Sequence, residues 1–335
     1  MGNRHINIPV FIPHKGCPNT CVFCDQRRIS GTISSPTFDS VKKLIEDSLS
    51  TIQDSEVEVA FFGGSFTGIP ESDMIGYLET VKPFIDSGRV QGIRLSTRPD
   101  YINNHIIGIL KEYGVTAIEL GVQSLDPEVL KKSKRGHSVA DVENACAIIK
   151  DSGIKLGIQT MLGLPGDTFS KALDTAYKVV SIKPEMVRIY PALVLKDTEL
   201  EELYKSGSYM PLSVEEAVDW CAAIVPLYKS KGITVLRIGL HSSEDMESSI
   251  VAGPYHPAFG ELVESRILLN RILQELKKRE PLIPGKIVIR TRPELVSKII
   301  GHGRTNIDAI KNKYPNVEVK VLADLKTGDF EIQNQ

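Results

Sequence analysis

Between residues 6 and 195 the chain alternates short β-branched runs with stretches whose apolar residues recur at helical spacing. Ile6–Ile12, Glu56–Phe62, Gly92–Thr97, Ala117–Val122, Lys155–Leu162 and Met186–Tyr190 predict strands, since branched and aromatic side chains pack well on a pleated surface. Between them, Val41, Leu44, Ile45, Leu49 and Ile52 mark one helix face, and Val139, Val142, Cys146 and Ile149 another. Gly114 and Gly153 stand where helices close with a left-handed residue. Strands each followed by a helix imply a parallel sheet. Eight such units close a barrel; the six found here leave it open on one side. The fold class expected is therefore α/β, an open partial TIM barrel (β/α)6 with a small α+β C-terminal domain.

After Tyr190 the pattern changes. Ser213-Val-Glu-Glu216 is a capping-box signature ahead of the apolar stripe Val218, Cys221, Val225 and Tyr228. A polar stretch, Leu240–Ser249, leads through Ala252–Phe259 into a long helical pattern ending near Lys278, and Pro281–Gly285 reads as a linker. Beyond it, Lys286–Thr291, Val317–Leu322 and Phe330–Gln333 predict strands, with helices at Pro293–Ile300 and Asn306–Tyr314. The expected division is 1–210 as the partial barrel, 211–280 as a helical extension completing it, and 286–335 as a small α+β unit.

The bulk numbers exclude several classes. With 41% hydrophobic and 24% charged residues the 335-residue chain is globular in composition, and a net charge of −2 gives no broadly basic surface. Contact with nucleic acid would need a local patch. No apolar run approaches the roughly 20 residues that span a bilayer, and no cleavage-site pattern follows the apolar Ile6–Ile12, so no membrane role and a cytoplasmic location are expected.

Five cysteines are an odd number, and Cys17, Cys21 and Cys24 are crowded together. A disulfide framework would be even and dispersed; crowding points to a metal. The segment Gly16-Cys17-Pro-Asn-Thr-Cys21-Val-Phe-Cys24 follows the first strand. Cysteine thiolates are the usual ligands of iron–sulfur clusters, and three ligands for four irons leave one iron open to a further molecule. The rival is structural zinc, which normally takes four protein ligands, with His14 as the only evident fourth. Cys146 and Cys221 lie on apolar helical stripes and read as core residues.

C-x3-C-x2-C with Phe23 before the last cysteine resembles the radical S-adenosylmethionine (SAM) superfamily, and Phe61-Phe62-Gly63-Gly64-Ser65 resembles its glycine-glycine motif. Thr97-Arg98-Pro99-Asp100, Glu119-Leu120-Gly121-Val122-Gln123-Ser124, Arg135-Gly136-His137 and Arg188-Ile189-Tyr190-Pro191-Ala192-Leu193, followed by Lys196-Asp-Thr198, resemble the radical-SAM domain of the Elongator catalytic subunit family. Gly163-Leu164-Pro165-Gly166 is similar to a segment of oxygen-independent coproporphyrinogen oxidases. The likeness covers about residues 10–210. The Elongator subunit spaces its first two cysteines more widely and carries a C-terminal acetyltransferase domain. Nothing after residue 285 resembles that domain, so acetyl transfer is not carried over.

The resemblance implies two cofactors, a [4Fe–4S] cluster on Cys17, Cys21 and Cys24 and SAM on its open iron. It also implies an external electron donor of flavodoxin or ferredoxin type. In the superfamily an electron from the cluster cleaves SAM, and a 5′-deoxyadenosyl radical then takes a substrate hydrogen; the protein positions this chemistry. By position, Gly63 and Gly64 admit a close backbone approach and Ser65 offers a hydroxyl. Ser96, Thr97 and Arg98 end the third strand, where the guanidinium could take a carboxylate bidentately; Gln123 and Gln159 could meet ribose or substrate. Against this, Arg98 could simply pair with Asp100, Ser65 could be a turn residue, and Gln159 a satisfied buried amide.

His137, Tyr190, Lys196 and His256 are the candidate catalytic residues, with no unique role assigned. Ile299-Ile300-Gly301-His-Gly-Arg304-Thr-Asn-Ile307 has the outline of the KH loop that clamps an RNA backbone, with Arg304 in place of its second glycine. Lys286, Arg290, Arg292, Lys298, Arg304, Lys311, Lys313 and Lys320 make this unit basic; a solvated face explains them equally well. The leading expectation is a radical SAM enzyme acting on RNA, with tRNA the favoured RNA. The alternatives are a radical SAM enzyme for a small metabolite, and a non-catalytic RNA-binding protein with structural zinc.

Overall fold

The computed structural model describes residues 4–12, 17, 21–24, 35–240, 244–280 and 285–334. The chain forms two compact units, one of Met1–Ser213 with Leu227–Tyr255, the other of Val214–Pro226 with His256–Gln335.

In the first unit seven parallel strands lie in the order β1-β2-β3-β4-β5-β6-β8 and form a curled half-barrel. They are β1 Arg4–Phe11, β2 Ser55–Phe62, β3 Gly92–Thr97, β4 Val115–Gln123, β5 Lys155–Leu162, β6 Met186–Pro191 and β8 Thr234–Ile238. Sequential strands are neighbours from β1 to β6, as β/α units dictate. The six expected strands are present; β8 is an addition. It falls inside 211–280, a stretch read as wholly helical, and pairs with β6. All five of its residues are half-buried or exposed, so no core-facing signal betrays it. The same stretch is shared between the two units rather than forming a body of its own.

Helices follow the strands, and several begin with a side-chain cap, among them those capped by Thr37, Asn103, Ser138 and Thr168. Ser138 and Asp141 close a capping box on the helix Val139–Ser152, which ends at Gly153 with φ 81°. The core between sheet and helices is apolar: Leu95, Leu120 and Ile189 are fully buried, and truncating any of them costs roughly 2–5 kcal/mol. Cys146 (3% exposed) and Cys221 (0%) are buried on helices, as their stripes predict, and burial pushes the Cys146 thiol up to about 12. A short antiparallel pair, β7 Val194–Leu195 with β9 Ile250–Ala252, sits after β6 and has no counterpart in the expectations.

The second unit has a three-stranded sheet, β11-β10-β12. β10 (Gly285–Thr291) runs parallel to β11 (Val317–Ala323) and antiparallel to β12 (Phe330–Asn334). The parallel crossover is made by the helices Val296–Ile300 and Thr305–Lys313, joined by the turn Gly301–Arg304. Leu268, Leu269 and Ile272 of the helix Phe259–Lys277 pack with Ile287, Ile289, Ile299, Ile310 and Ile332. Leu282 and its neighbours in the expected linker lie outside the described residues, save Gly285, which opens β10.

Candidate active site at the C-terminal ends of the strands

The cysteine loop leaves the C-terminal end of β1, where β/α folds gather their functional groups. Val22 donates to Ser133 O at 3.3 Å and accepts from Leu200 N at 2.7 Å, so the loop is held from two sides. Cys21, Val22 and Phe23 are buried with Val129, Leu164, Ala192 and Tyr209, which accounts for the aromatic residue before the last cysteine. His14, the fourth ligand a zinc site would need, lies outside the described residues. Among the described residues no three His, Cys, Asp or Glu side chains gather as ligands of a single ion. A single zinc needs all its thiolates within about 2.3 Å of one point, whereas a four-iron cluster takes each thiolate on a different iron.

Positive charge surrounds these thiols. Arg135 Nη1 donates to Cys21 Sγ at 3.1 Å, and Nη2 donates to Gly121 O at 2.5 Å. Crowding by neighbouring atoms pushes the Cys17 thiol up although part of it is open to solvent; Arg98 pulls it down, Cys21 up, and Arg135 and the Ser65 backbone N–H down again. Arg98 itself is committed: Nε and Nη2 donate to the two carboxylate oxygens of Asp100, each at 2.9 Å. The fork expected to meet a SAM carboxylate is therefore occupied by Asp100, two residues along the chain. Its Nη1 is buried with no partner among the described residues.

Ser65, Thr67 and Thr97 form a hydroxyl ladder, with Ser65 Oγ to Thr97 Oγ1 at 2.8 Å and Thr67 Oγ1 to Thr97 Oγ1 at 2.6 Å. Ser65 Oγ also accepts from Arg98 N, tying the glycine motif to the end of β3. Gly63 has φ +102°, and a Cβ there would press on the backbone of Ile12 at 3.3 Å, so this position demands glycine. Gly64, Ser65 and Ser96 line one small recess. Gln123 is left-handed at φ 66°, where β4 and β5 shift register, and its Oε1 is buried without a partner. Such strain in a non-glycine residue at a strand end is typical of binding sites.

Beneath them runs an ion network that sequence reading did not foresee. Glu119, 1% exposed, accepts from Arg94 Nη1 at 3.2 Å, Gln159 Nε2 at 3.1 Å, and Arg188 Nε and Nη2 at 2.6 and 3.2 Å. Gln159 also donates to Ser96 Oγ, so its amide N–H groups serve the network as a satisfied buried amide would. Arg94 continues to Glu58, which in turn meets His5. Arg188 lies over the Phe62 ring and beside Tyr190, whose hydroxyl is pushed up by burial. The partners sit on different strands; the sequence singled out Glu119, Gln159 and Arg188 separately and did not connect them.

The four catalytic candidates have different settings. His137 is 6% exposed, with both ring nitrogens buried and no hydrogen-bond partner of normal geometry among the described residues; burial, Arg135 and Arg98 lower it to about 4. Lys196 is exposed and donates to Ser248 O at 2.7 Å. His256 belongs to the other unit, where Nδ1 accepts from Ala258 N. Besides Thr67 and the Glu119 network, sequence reasoning left Asp100 and Arg135 outside the site, although both lie in motifs it had singled out.

A model of the radical SAM superfamily matches residues 11–178, half of the chain, and one of the Radical_SAM C-terminal domain matches 184–268. The chain is 36% identical over 182 residues to the tRNA uridine(34) acetyltransferase of Methanocaldococcus infernus, a match covering 52% of this chain and 33% of that protein. It is 29% identical over 279 residues to an uncharacterized protein of Methanocaldococcus jannaschii, covering 79% and 82%. The chain thus spans about a third to a half of the length of the acetyltransferases it matches. Among solved structures, the archaeal Methanocaldococcus infernus Elp3 with an N-terminal deletion aligns with a TM-score of 0.61 at 23% identity over 85% of this chain and 66% of that one, a likeness of fold.

Proposed function

Because the chain belongs to the radical SAM superfamily, whose members are enzymes using a [4Fe–4S] cluster and SAM, we propose that it cleaves SAM reductively and acts on RNA, with tRNA as the substrate class. The observation that carries the first half is the setting of the cysteine loop, with thiols at a strand end, Arg135 on Cys21 and an unpartnered N–H of Arg98 nearby. That donor set suits a thiolate-bound anionic cluster. Cys17, Cys21 and Cys24 would hold the cluster. Gly63, Gly64, Ser65, Ser96, Thr97, Gln123 and Gln159 would surround SAM, with Arg98 contributing its remaining N–H and charge. When bound, the two cofactors supply a 5′-deoxyadenosyl radical able to take a hydrogen atom. The protein's part is to position SAM and keep water away: the Ser65–Thr97–Thr67 ladder fixes the hydroxyls, and the Glu119 network gives the chamber a rigid, charge-balanced floor.

RNA is supported by the names of the tRNA-modifying relatives and by the second unit. There the Gly301–Arg304 turn joins two helices between parallel strands, and Arg304 adopts φ 68° where a KH loop has its second glycine. Several residues expected to make this unit basic are paired: Arg290 with Asp324, Arg292 with Glu294, and Lys298 with Glu264. Arg304, Lys311 and Lys320 make no ion pair among the described residues and form the RNA-facing charge of this reading. The donor is a one-electron carrier of flavodoxin or ferredoxin type, and the cytoplasm is the setting. The test is anaerobic incubation of the full chain with SAM, dithionite and either tRNA or a small-molecule extract, following 5′-deoxyadenosine. Stimulation by tRNA supports the reading. Stimulation by the small-molecule fraction alone removes RNA from it.

A further inference from the structure

Arg98 and Arg135 are 3% and 6% exposed, and each is left with one buried nitrogen, Nη1 of Arg98 and Nε of Arg135, whose N–H no group among the described residues accepts. An unmade hydrogen bond on a buried charged group is costly, so two such groups that both act on Cys17 call for a compensating anion. Asp100 compensates only Arg98. His137 is held neutral by burial and by the same two guanidiniums. Among the described residues, the group left to balance the charge is the sulfur of the cysteine loop, reached by Arg135 at 3.1 Å and felt by both guanidiniums.

Three thiolates outweigh the positive core of a four-iron cluster, so the bound assembly is anionic. It gains one further negative charge when an external donor gives it one electron. Buried positive charge stabilises that reduced form more than the oxidised one, and hydrogen bonds to sulfur act in the same direction. We propose that Arg98 and Arg135 form an electrostatic clamp that raises the reduction potential of the cluster, and that Asp100 is a counterweight setting how much of the Arg98 charge the cluster feels. This inference rests on the radical SAM reading of the three cysteines. In it, the two arginines and Asp100 are positioning residues: they set when the cluster accepts its electron, and none of them transfers it.

A purely structural role predicts something else. Arg135 would only tether its loop to Gly121, and Arg98 would only brace the turn at Pro99–Tyr101. The two are separated by reconstituting the full chain anaerobically, measuring iron and sulfide, and following the cluster by EPR during a dithionite titration without SAM. Arg135→Gln and Arg98→Gln should shift the one-electron equilibrium about tenfold toward the oxidised form, which is about 59 mV more negative. Asp100→Asn should shift it the opposite way, since it unmasks a positive charge. Arg135→Lys, which keeps the charge and loses the fork, should fall between wild type and Arg135→Gln. An iron-replete series with one common potential overturns the clamp, as does an Asp100→Asn shift in the same direction as Arg98→Gln. If the glutamine variants lose iron, the signs of Asp100→Asn and Arg135→Lys still decide the matter. An iron-free, zinc-loaded wild type would instead sink the functional reading from which the clamp starts.

Discussion

In the barrel unit Arg98 and Arg135 are buried beside the cysteines with N–H groups left over, whereas in the C-terminal unit Arg266, Arg271 and Arg290 lie nearer the surface, paired with Asp219, Asp329 and Asp324. Exposed pairs of the second kind contribute about 0–1 kcal/mol and leave little to offer a ligand. Buried groups of the first kind are expensive unless a partner arrives. Both units also hold a non-glycine residue in the left-handed region, Gln123 in one and Arg304 in the other. Gln123 is buried at the end of β4; Arg304 is exposed on a turn. On the proposed function, the contrast is between a site that would hold a cofactor tightly and a surface that would touch a large polyanion loosely.

The largest effect should come from the thiols. Cys17→Ala, Cys21→Ala or Cys24→Ala should abolish bound iron and the brown colour of anaerobically purified protein. Cys146→Ala and Cys221→Ala should keep full iron content while losing about 1 kcal/mol of stability, because both sit in packed helical cores. Iron loss in Cys146→Ala equal to that in Cys21→Ala would erase the distinction between core and ligand cysteines.

The second effect belongs to His137. Its folded value, about 4, lies below the usual 6.5, so the neutral form is the one the fold accommodates. The stability it confers is present above pH 6.5 and drains away as pH falls from 6.5 toward 4, by up to roughly 3 kcal/mol in all. Urea unfolding across pH 4–7.5 should therefore show wild type converging on His137→Gln as pH drops, the two differing by a constant amount above neutrality. Parallel curves throughout that range would mean that His137 is solvated in a way its burial denies.

These two tests also mark where sequence reading succeeds and where it stops. The cysteine spacing, the glycine motif and six strands are local patterns, and local patterns survive translation into structure. Arg98 with Asp100 was legible for the same reason, being two residues apart. The Glu119 network was not, because Arg94, Gln159 and Arg188 come to it from 25, 40 and 69 residues away. In a strand pattern each of these charges looks like an interruption of an apolar run. β8 was missed because an edge strand with no buried residue carries no period that distinguishes it from a loop.

In the C-terminal unit the corresponding buried polar group is Asn306, whose Nδ2 donates to Ser265 O, Ser265 Oγ and Lys298 O at 3.2, 2.9 and 3.0 Å. These bonds tie the Gly301–Arg304 turn to the helix Phe259–Lys277. Asn306→Ala should cost about 1–2 kcal/mol and loosen the turn, yet leave iron content at the wild-type level. Urea unfolding with iron analysis checks both halves. Iron loss in this variant would break the separation of the two units' roles.

The smallest effect, and the one that bears most directly on RNA, is expected at Arg304. The side chain is exposed and makes no ion pair among the described residues, so its replacement should leave folding within about 0.5 kcal/mol. Each phosphate neutralised by a side chain contributes roughly 0.7 to the slope of log affinity against log salt for a single strand. Arg304→Glu removes one such contact and adds a charge of the wrong sign, so tRNA binding should weaken most at low salt and the salt dependence should flatten by about one contact. SAM cleavage driven by dithionite without RNA should not change, because every cluster and SAM candidate lies before β6. Gel-shift or anisotropy titrations between about 50 and 200 mM salt, run beside a 5′-deoxyadenosine assay, read both quantities from one preparation. Equal affinity and equal slope in Arg304→Glu would take the turn out of RNA contact. A matched fall in uncoupled SAM cleavage would mean that the turn serves the radical chemistry itself, and the contrast between a tight buried site and a loose exposed surface would fail.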